Sequence, residues 1–318
     1  MGQITIIGLG LIGGSLGMAW RQAKIGWDIV GHDKNPEVAA AARKKGAVDR
    51  TEWNLAAAVE KANVVVLATP VGEMKALLGH IADCLAEDCV VTDTASTKRQ
   101  VLAWAEEILP PSITFVGGHP VVTREAFGIE GADAGLFSGR VYCLTPSSQA
   151  RPDAVDLVSR LVGAIGAEPY FVDAVEHDGL VAATGHLPFV LSTALVRAAA
   201  AAPAWREISR MAASDFLSVS RLASGDPAGH AGICEANREN IVRWLDAYIA
   251  ALGEMRRLIV DGGQALETAF GEAKAARDSC ELGQVESTSV RVDIPTAREQ
   301  IGQTFFGSGG RLFKRDKR

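Results

Sequence analysis

Residues 3–33 constrain the fold more than any other part of this chain. Gln3-Ile4-Thr5-Ile6-Ile7 is a β-branched apolar run that leads directly into Gly8-Leu9-Gly10-Leu11-Ile12-Gly13-Gly14-Ser15. A helix-like stretch follows over 16–22, and a second apolar run, Asp28-Ile29-Val30-Gly31-His32, ends in the acidic Asp33. Strand, glycine turn, helix, strand and acid in this register make a βαβ unit suited to a dinucleotide. Gly8 permits the tight turn, Gly10 lets the backbone approach a pyrophosphate, and Gly13 lets the helix sit close on the strand. The helix start, at Leu11 and Ile12, offers N–H groups and the positive end of the helix dipole to the phosphates. Asp33 accepts from a ribose 2′-hydroxyl and repels a 2′-phosphate, which favours NAD. Lys34 beside it softens that repulsion, so NADP stays as the alternative.

A chain of 318 residues is long enough for two domains. Hydrophobic content of 48% with 22% charged residues describes an ordinary soluble globular protein. A net charge of −6 offers no electrostatic case for a nucleic-acid partner. The cysteines at 84, 89, 143, 234 and 280 are odd in number and form no CxxC pair. They read as free thiols in a reducing compartment, so a cytoplasmic location is expected. No His/Cys grouping has ligand spacing, so no metal is expected. The first apolar run is a sheet strand, so no signal peptide is expected. Residues 179–196 form an uncharged run of spanning length, but Pro188, His186 and the hydroxyl side chains favour a buried helix over a membrane span.

Apolar and helical runs alternate through the first half. Helices are expected over 36–45, 73–85, 97–109 and 153–165, and strands over 64–68, 89–93, 113–116, 141–144 and 169–172. Near-continuous apolar strands separated by helices predict a mostly parallel sheet covered on both faces. The expected architecture is an α/β, Rossmann-type doubly wound domain over 1–172. From 173 to about 277 the periodicity is helical, with Trp244, Leu245, Tyr248, Ile249, Leu252, Met255 and Leu258 on one stripe. An all-helical domain over 173–300 is expected, with more apolar face than one monomer buries, and therefore a homodimer through it. Gly307-Ser308-Gly309-Gly310 and the basic end read as a mobile tail over 301–318.

Three short stretches fall just past strand ends, where an open parallel sheet places its ligand. They are Thr69-Pro70-Val71, expected beside the nicotinamide, Asp93-Thr94-Ala95-Ser96-Thr97-Lys98, and Gly117-Gly118-His119-Pro120 with Glu125 beyond. With Leu144-Thr145-Pro146, these motifs resemble the prephenate/arogenate dehydrogenase family. Glu176-His177-Asp178, Gly185-His186-Leu187-Pro188 and Ser220-Arg221-Leu222-Ala223 with Asp226-Pro227 and Asn237 extend the resemblance to about residue 280.

The resemblance implies NAD-dependent oxidative decarboxylation of prephenate to 4-hydroxyphenylpyruvate, on the route to tyrosine, or of arogenate to tyrosine itself. It implies that the turn residue His119 accepts the proton of the ring hydroxyl, and that Ser96 hydrogen-bonds the same hydroxyl. A serine there also suits a helix N-cap. Arg221 matches the carboxylate-binding arginine, His186 lies over the ring, and Lys98, Glu125 and His230 complete the substrate pocket. Departures from the family pattern are Gly185, Phe189 and Thr123, with Arg124 and His230 as added groups. These bear on which substrate fits rather than on the reaction. A β-hydroxyacid dehydrogenase is disfavoured because the helix over 176–197 carries no lysine. An NAD-binding regulatory module without turnover is the non-enzymatic alternative. About forty residues after Arg277 are too few for a separate tyrosine-binding domain, so none is expected.

Overall fold

In the computed structural model, residues 2–122 and 128–281 are described. The strands are β1 (Gln3–Ile7), β2 (Asp28–His32), β3 (Arg50–Thr51), β4 (Val64–Leu67), β5 (Val90–Asp93), β6 (Thr114–Pro120), β7 (Val141–Pro146) and β8 (Glu168–Phe171). They form one sheet in the order β3-β2-β1-β4-β5-β6-β7-β8. The pairings are parallel except β6 with β7, which is antiparallel. The order reverses at β1 and β4, so their carboxyl ends part there and open a crevice for a ligand.

Helices α1 (Leu11–Gln22), α2 (Pro36–Lys45), α3 (Leu55–Val59), α4 (Val71–Ile81), α5 (Arg99–Ile108) and α6 (Pro152–Ala164) cover the two faces. Side chains of a strand alternate between faces, and the two cores divide accordingly. Ile4, Ile6, Val64 and Val66 pack with Leu16 and Trp20 of α1 and Val158 of α6. Ile7, Val65 and Leu67 pack on the other side with Met74 and Leu78 of α4 and Val101 of α5. This two-faced burial is why these strands are continuous apolar runs.

Two differences from the sequence expectation bear on function. Gly117-Gly118-His119-Pro120 is not a turn; it continues β6, pairing with residues 142–145 of β7. The glycines permit this, because a Cβ on Gly117 would come within 2.3 Å of the Thr145 hydroxyl oxygen, and one on Gly118 within 2.6 Å of the Asp93 carbonyl oxygen. β3, two residues long, is too short to show a periodicity.

Beyond the sheet the described chain is helical: α7 (Ala174–Val181), α8 (Leu187–Ala200), α9 (Trp205–Met211), α10 (Ser214–Ser220), α11 (Pro227–Ala236), α12 (Arg238–Asp261) and α13 (Gln264–Glu281). The single helix expected near 176–197 is interrupted by a widened π-turn, Ala182–His186, without leaving helical conformation. Pro188 has no N–H to give to the carbonyl one turn earlier, which favours the widened turn there. The stretch Ala174–Ala200 is long and apolar enough to cross a membrane, with a mean hydropathy of 1.6. Yet it carries His177, Asp178 and His186, all buried and hydrogen-bonded within the protein. Met1–Leu245 forms one compact unit, helices α7 to α11 included, and a second unit begins at Asp246.

Candidate active site

The glycine turn has the shape the motif requires. Gly8 has φ +93°, a conformation that suits glycine, and a Cβ there would lie 2.6 Å from the Ala68 carbonyl oxygen. A Cβ on Gly13 would lie 2.0 Å from the Gly8 carbonyl oxygen, so α1 can approach β1 only without a side chain. Gly10 faces open space, with no atom within 4 Å of an added Cβ. It is also the N-cap of α1 and supplies no side-chain cap, so the first N–H groups of the helix point into the crevice. Asp33 accepts the Leu9 N–H at 2.8 Å and the Asn35 N–H at 2.8 Å, which ties the acid at the end of β2 to the turn. This cradle fits a dinucleotide: Gly10 to Gly13 would hold its pyrophosphate and Asp33 a ribose hydroxyl.

A cleft of about 250 Å³ runs along this turn. It is lined by Gly10, Leu11 and Ile12, by Thr69, Pro70 and Val71 after β4, by Thr94, Ala95 and Ser96 after β5, and by Asp226, Gly229 and Ile233 of the helical part. Of the cofactor residues expected from sequence, Gly10, Leu11, Ile12, Thr69, Pro70 and Val71 line this cleft together with Ser96, and Gly8, Gly13 and Asp33 do not. Ser96 is not a helix N-cap, because α5 begins at Arg99 and its cap position is Lys98. Asp33 borders a neighbouring hollow with Lys34, Arg43 and Trp53.

Lys98 does not open onto the cleft as expected. Its side chain has no exposed surface, and its ammonium is bonded to the equally buried Asp93 and to the Gly118 carbonyl, at 2.6 Å. Asp93 accepts the Gly118 N–H at 3.0 Å through its other oxygen. The pair thus grips Gly118 by both its N–H and its carbonyl, one residue before His119. Burial lowers the Lys98 ammonium from its usual range, and the Asp93 charge opposes this.

His119, half-buried at the end of β6, places Nδ1 2.9 Å from Nε2 of His177. The two rings meet edge to face, with centroids 5.1 Å apart. His177 Nδ1 lies 2.9 Å from Asp178 Oδ1. Asp178 in turn accepts the Lys98 N–H at 2.7 Å and the Arg99 N–H at 3.0 Å, capping α5 from the side of α7. Asn237 closes the network: its amide nitrogen donates to the Asp178 carbonyl at 2.8 Å and lies 3.2 Å from His186 Nδ1. Nine positions separate His177 from His186, which would set them on opposite sides of an unbroken helix with about 3.6 residues per turn. The π-turn removes that opposition.

Burial pushes His186 down to about 4, His177 adds to the fall, and the Asp178 charge and Ser96 carbonyl oppose it. His186 is therefore neutral at cellular pH. With Nδ1 accepting from Asn237, its proton sits on Nε2, which has no hydrogen-bond partner among the described residues. The Ser96 carbonyl lies near this ring without forming a well-aligned hydrogen bond to Nε2, which leaves that N–H for a ligand's oxygen to satisfy.

The remaining expected residues are placed differently. Arg221 opens the short turn Arg221–Ser224 after α10, with an exposed side chain, and is not among the described residues lining the cleft. His230 stacks on Phe189 with ring centroids 4.1 Å apart and planes nearly parallel, and lines a separate hollow with Arg197 and Cys234. Glu125, with Thr123 and Arg124, lies outside the described residues. Sequence reasoning did not single out His177, Asp178 or Asn237 as site residues. The available signal was an adjacent His-Asp pair at the start of an otherwise apolar helix.

Comparison with known proteins identifies the family. The family model for the nucleotide-binding domain of prephenate dehydrogenase matches residues 16–171, and that for its dimerization domain matches residues 173–269. Prephenate dehydrogenase of Bacillus subtilis is 31% identical over 299 residues, 92% of this chain and 81% of that protein. The crystal structure of A. aeolicus prephenate dehydrogenase with hydroxyphenyl propionate and NAD+ superposes with a TM-score of 0.82 at 27% identity. That match covers 88% of this chain and 98% of the other. Synechocystis arogenate dehydrogenase gives a TM-score of 0.72 at 27% identity, over 87% and 99% of the two chains. The chain belongs to the prephenate dehydrogenase family.

Proposed function

We propose that this chain is an NAD-dependent dehydrogenase that oxidatively decarboxylates prephenate to 4-hydroxyphenylpyruvate, with arogenate as the second substrate reading. The observation that carries this is the convergence of a glycine-turn dinucleotide cradle and Ser96 on one cleft, with a buried histidine network behind it. Bound NAD supplies the hydride acceptor. The chain's own residues do the rest. As hydride leaves the ring carbon bearing the hydroxyl, that oxygen gains carbonyl character and its proton must go to a base, for which His119 has the suitable chemistry. Ser96 orients the same hydroxyl against the cofactor. Loss of CO2 then returns an electron pair to the ring, and the resulting phenolate oxygen takes back the proton from His119 to give the phenol. Nε2–H of His186 serves as a neutral donor to a substrate oxygen, and Arg221 as the cation for a carboxylate.

Purified protein given NAD with prephenate or with arogenate, followed by NADH absorbance, separates the two substrates. We expect turnover with prephenate, and no NADH from either would remove the assignment. Arg221→Ala is expected to raise the apparent KM for the substrate about 10- to 100-fold with kcat little altered, the scale of a hydrogen bond to a charged group. An unchanged KM would take Arg221 out of binding.

We further propose a soluble, cytoplasmic homodimer assembled through the helical part. The matched domain is described as a dimerization domain, and Met211, Leu217 and Val219 present exposed apolar side chains there. Light scattering after size exclusion reads the assembly directly.

A further inference from the structure

The chain of bonds behind His119 has a direction, and the direction determines which ring nitrogen can act as a base. Asp178 accepts two backbone N–H groups from the start of α5, so its carboxylate is held as an acceptor. The nitrogen facing it, Nδ1 of His177 at 2.9 Å, must therefore be the donor. A neutral His177 then carries its lone pair on Nε2, and that atom lies 2.9 Å from Nδ1 of His119. His119 must donate from Nδ1 and carry its own lone pair on Nε2. An isolated neutral imidazole prefers the opposite tautomer. The reverse polarity would need a doubly protonated His177 at 1% exposure, a buried cation in place of a neutral ring.

We propose that Asp178 and His177 are positioning residues that hold His119 in the Nδ1–H tautomer, so that Nε2 accepts the proton of the substrate hydroxyl. This rests on the reaction proposed above. When that proton arrives, the imidazolium keeps donating Nδ1–H to His177, and the Asp178 charge, one ring away, stabilises the cation without taking a proton. No bond in the relay has to be remade during the step, so the arrangement is preorganised for the charged state. The start of α5, by holding Asp178 as an acceptor, thereby also sets the polarity of both rings.

The test uses protein labelled with nitrogen-15 at its six histidines and long-range proton–nitrogen correlation spectra at mildly alkaline pH. Signals are assigned by single substitutions. In the native protein His119 and His177 are both expected as Nδ1–H tautomers. His177→Leu should return His119 to the Nε2–H form and lower kcat on the order of 100-fold, the low end of what a positioned base contributes, with KM for NAD unchanged. His177→Gln, whose amide oxygen can accept the His119 Nδ1–H, should keep the tautomer and recover most of kcat. An Nε2–H signal for His119 in the native protein overturns the proposal, and so does a Leu variant with both tautomer and kcat unaltered. The native tautomer readout does not depend on turnover, so a wrong substrate assignment would show separately, as a correct tautomer in a protein that makes no NADH.

Discussion

Replacing His119 by alanine is expected to lower turnover on the order of 10²–10⁴-fold, the range for a positioned acid–base group, while leaving NAD affinity nearly native. The expected barrier increase is about 3–5 kcal/mol. The asymmetry between turnover and affinity follows from placement. Among the described residues, the cofactor cleft is lined by the glycine turn, the segments after β4 and β5, and α11, with His119 outside that set. On the proposed mechanism, removing the ring takes away the proton acceptor without touching the pyrophosphate cradle. Rapid-mixing measurement of the first turnover, beside NAD titration by fluorescence quenching, reads the two quantities independently. Turnover within tenfold of native would remove His119 from the mechanism.

Lys98→Met is expected to cost about 3–5 kcal/mol of folding stability, because it leaves Asp93 as an uncompensated charge with no exposed surface. That is a large fraction of the roughly 5–15 kcal/mol that holds a typical domain together. Asp93 would keep the Ala95 and Gly118 N–H groups as donors, and these temper the loss without replacing the ammonium. The double variant Lys98→Met with Asp93→Leu removes both charges and should be less destabilised than the single one. Urea titration reads this as a fall in the midpoint at unchanged slope. The single variant should also lose activity, since the Gly118 carbonyl that Lys98 holds lies next to His119 in β6. A midpoint within experimental error of native would mean the buried pair has little structural weight.

The readability of this chain varied with the range of the interactions involved. The dinucleotide unit was legible because each of its requirements is local: a turn with positive φ at Gly8, a close helix approach at Gly13 and an acid at the end of the next strand. The strands were legible because burial on both faces demands continuous apolar runs, as Val64 to Leu67 shows. His119 and Ser96 entered the proposed site through motif resemblance. The role of Lys98 was not, because a lysine's sequence neighbours say nothing about an aspartate and a strand carbonyl that fold around it. Nor was the relay to Asp178, which depends on α7 meeting α5 some 80 positions earlier in the chain. The π-turn was hidden for a related reason: Pro188 signals a disturbed helix without saying that the turn before it widens rather than breaks.

Local stereochemistry and strand burial thus determined, from the residues alone, that a dinucleotide cradle sits at the end of β1 and that a helical part follows the sheet. Tertiary structure decided the polarity of the histidine chain and the conversion of Lys98 from a pocket residue into an internal clamp. It also set the convergence of His177, His186 and Asn237 behind Ser96. The physical reason is that a hydrogen bond between buried groups depends on where distant backbone segments come to rest, and residue order carries no record of that distance.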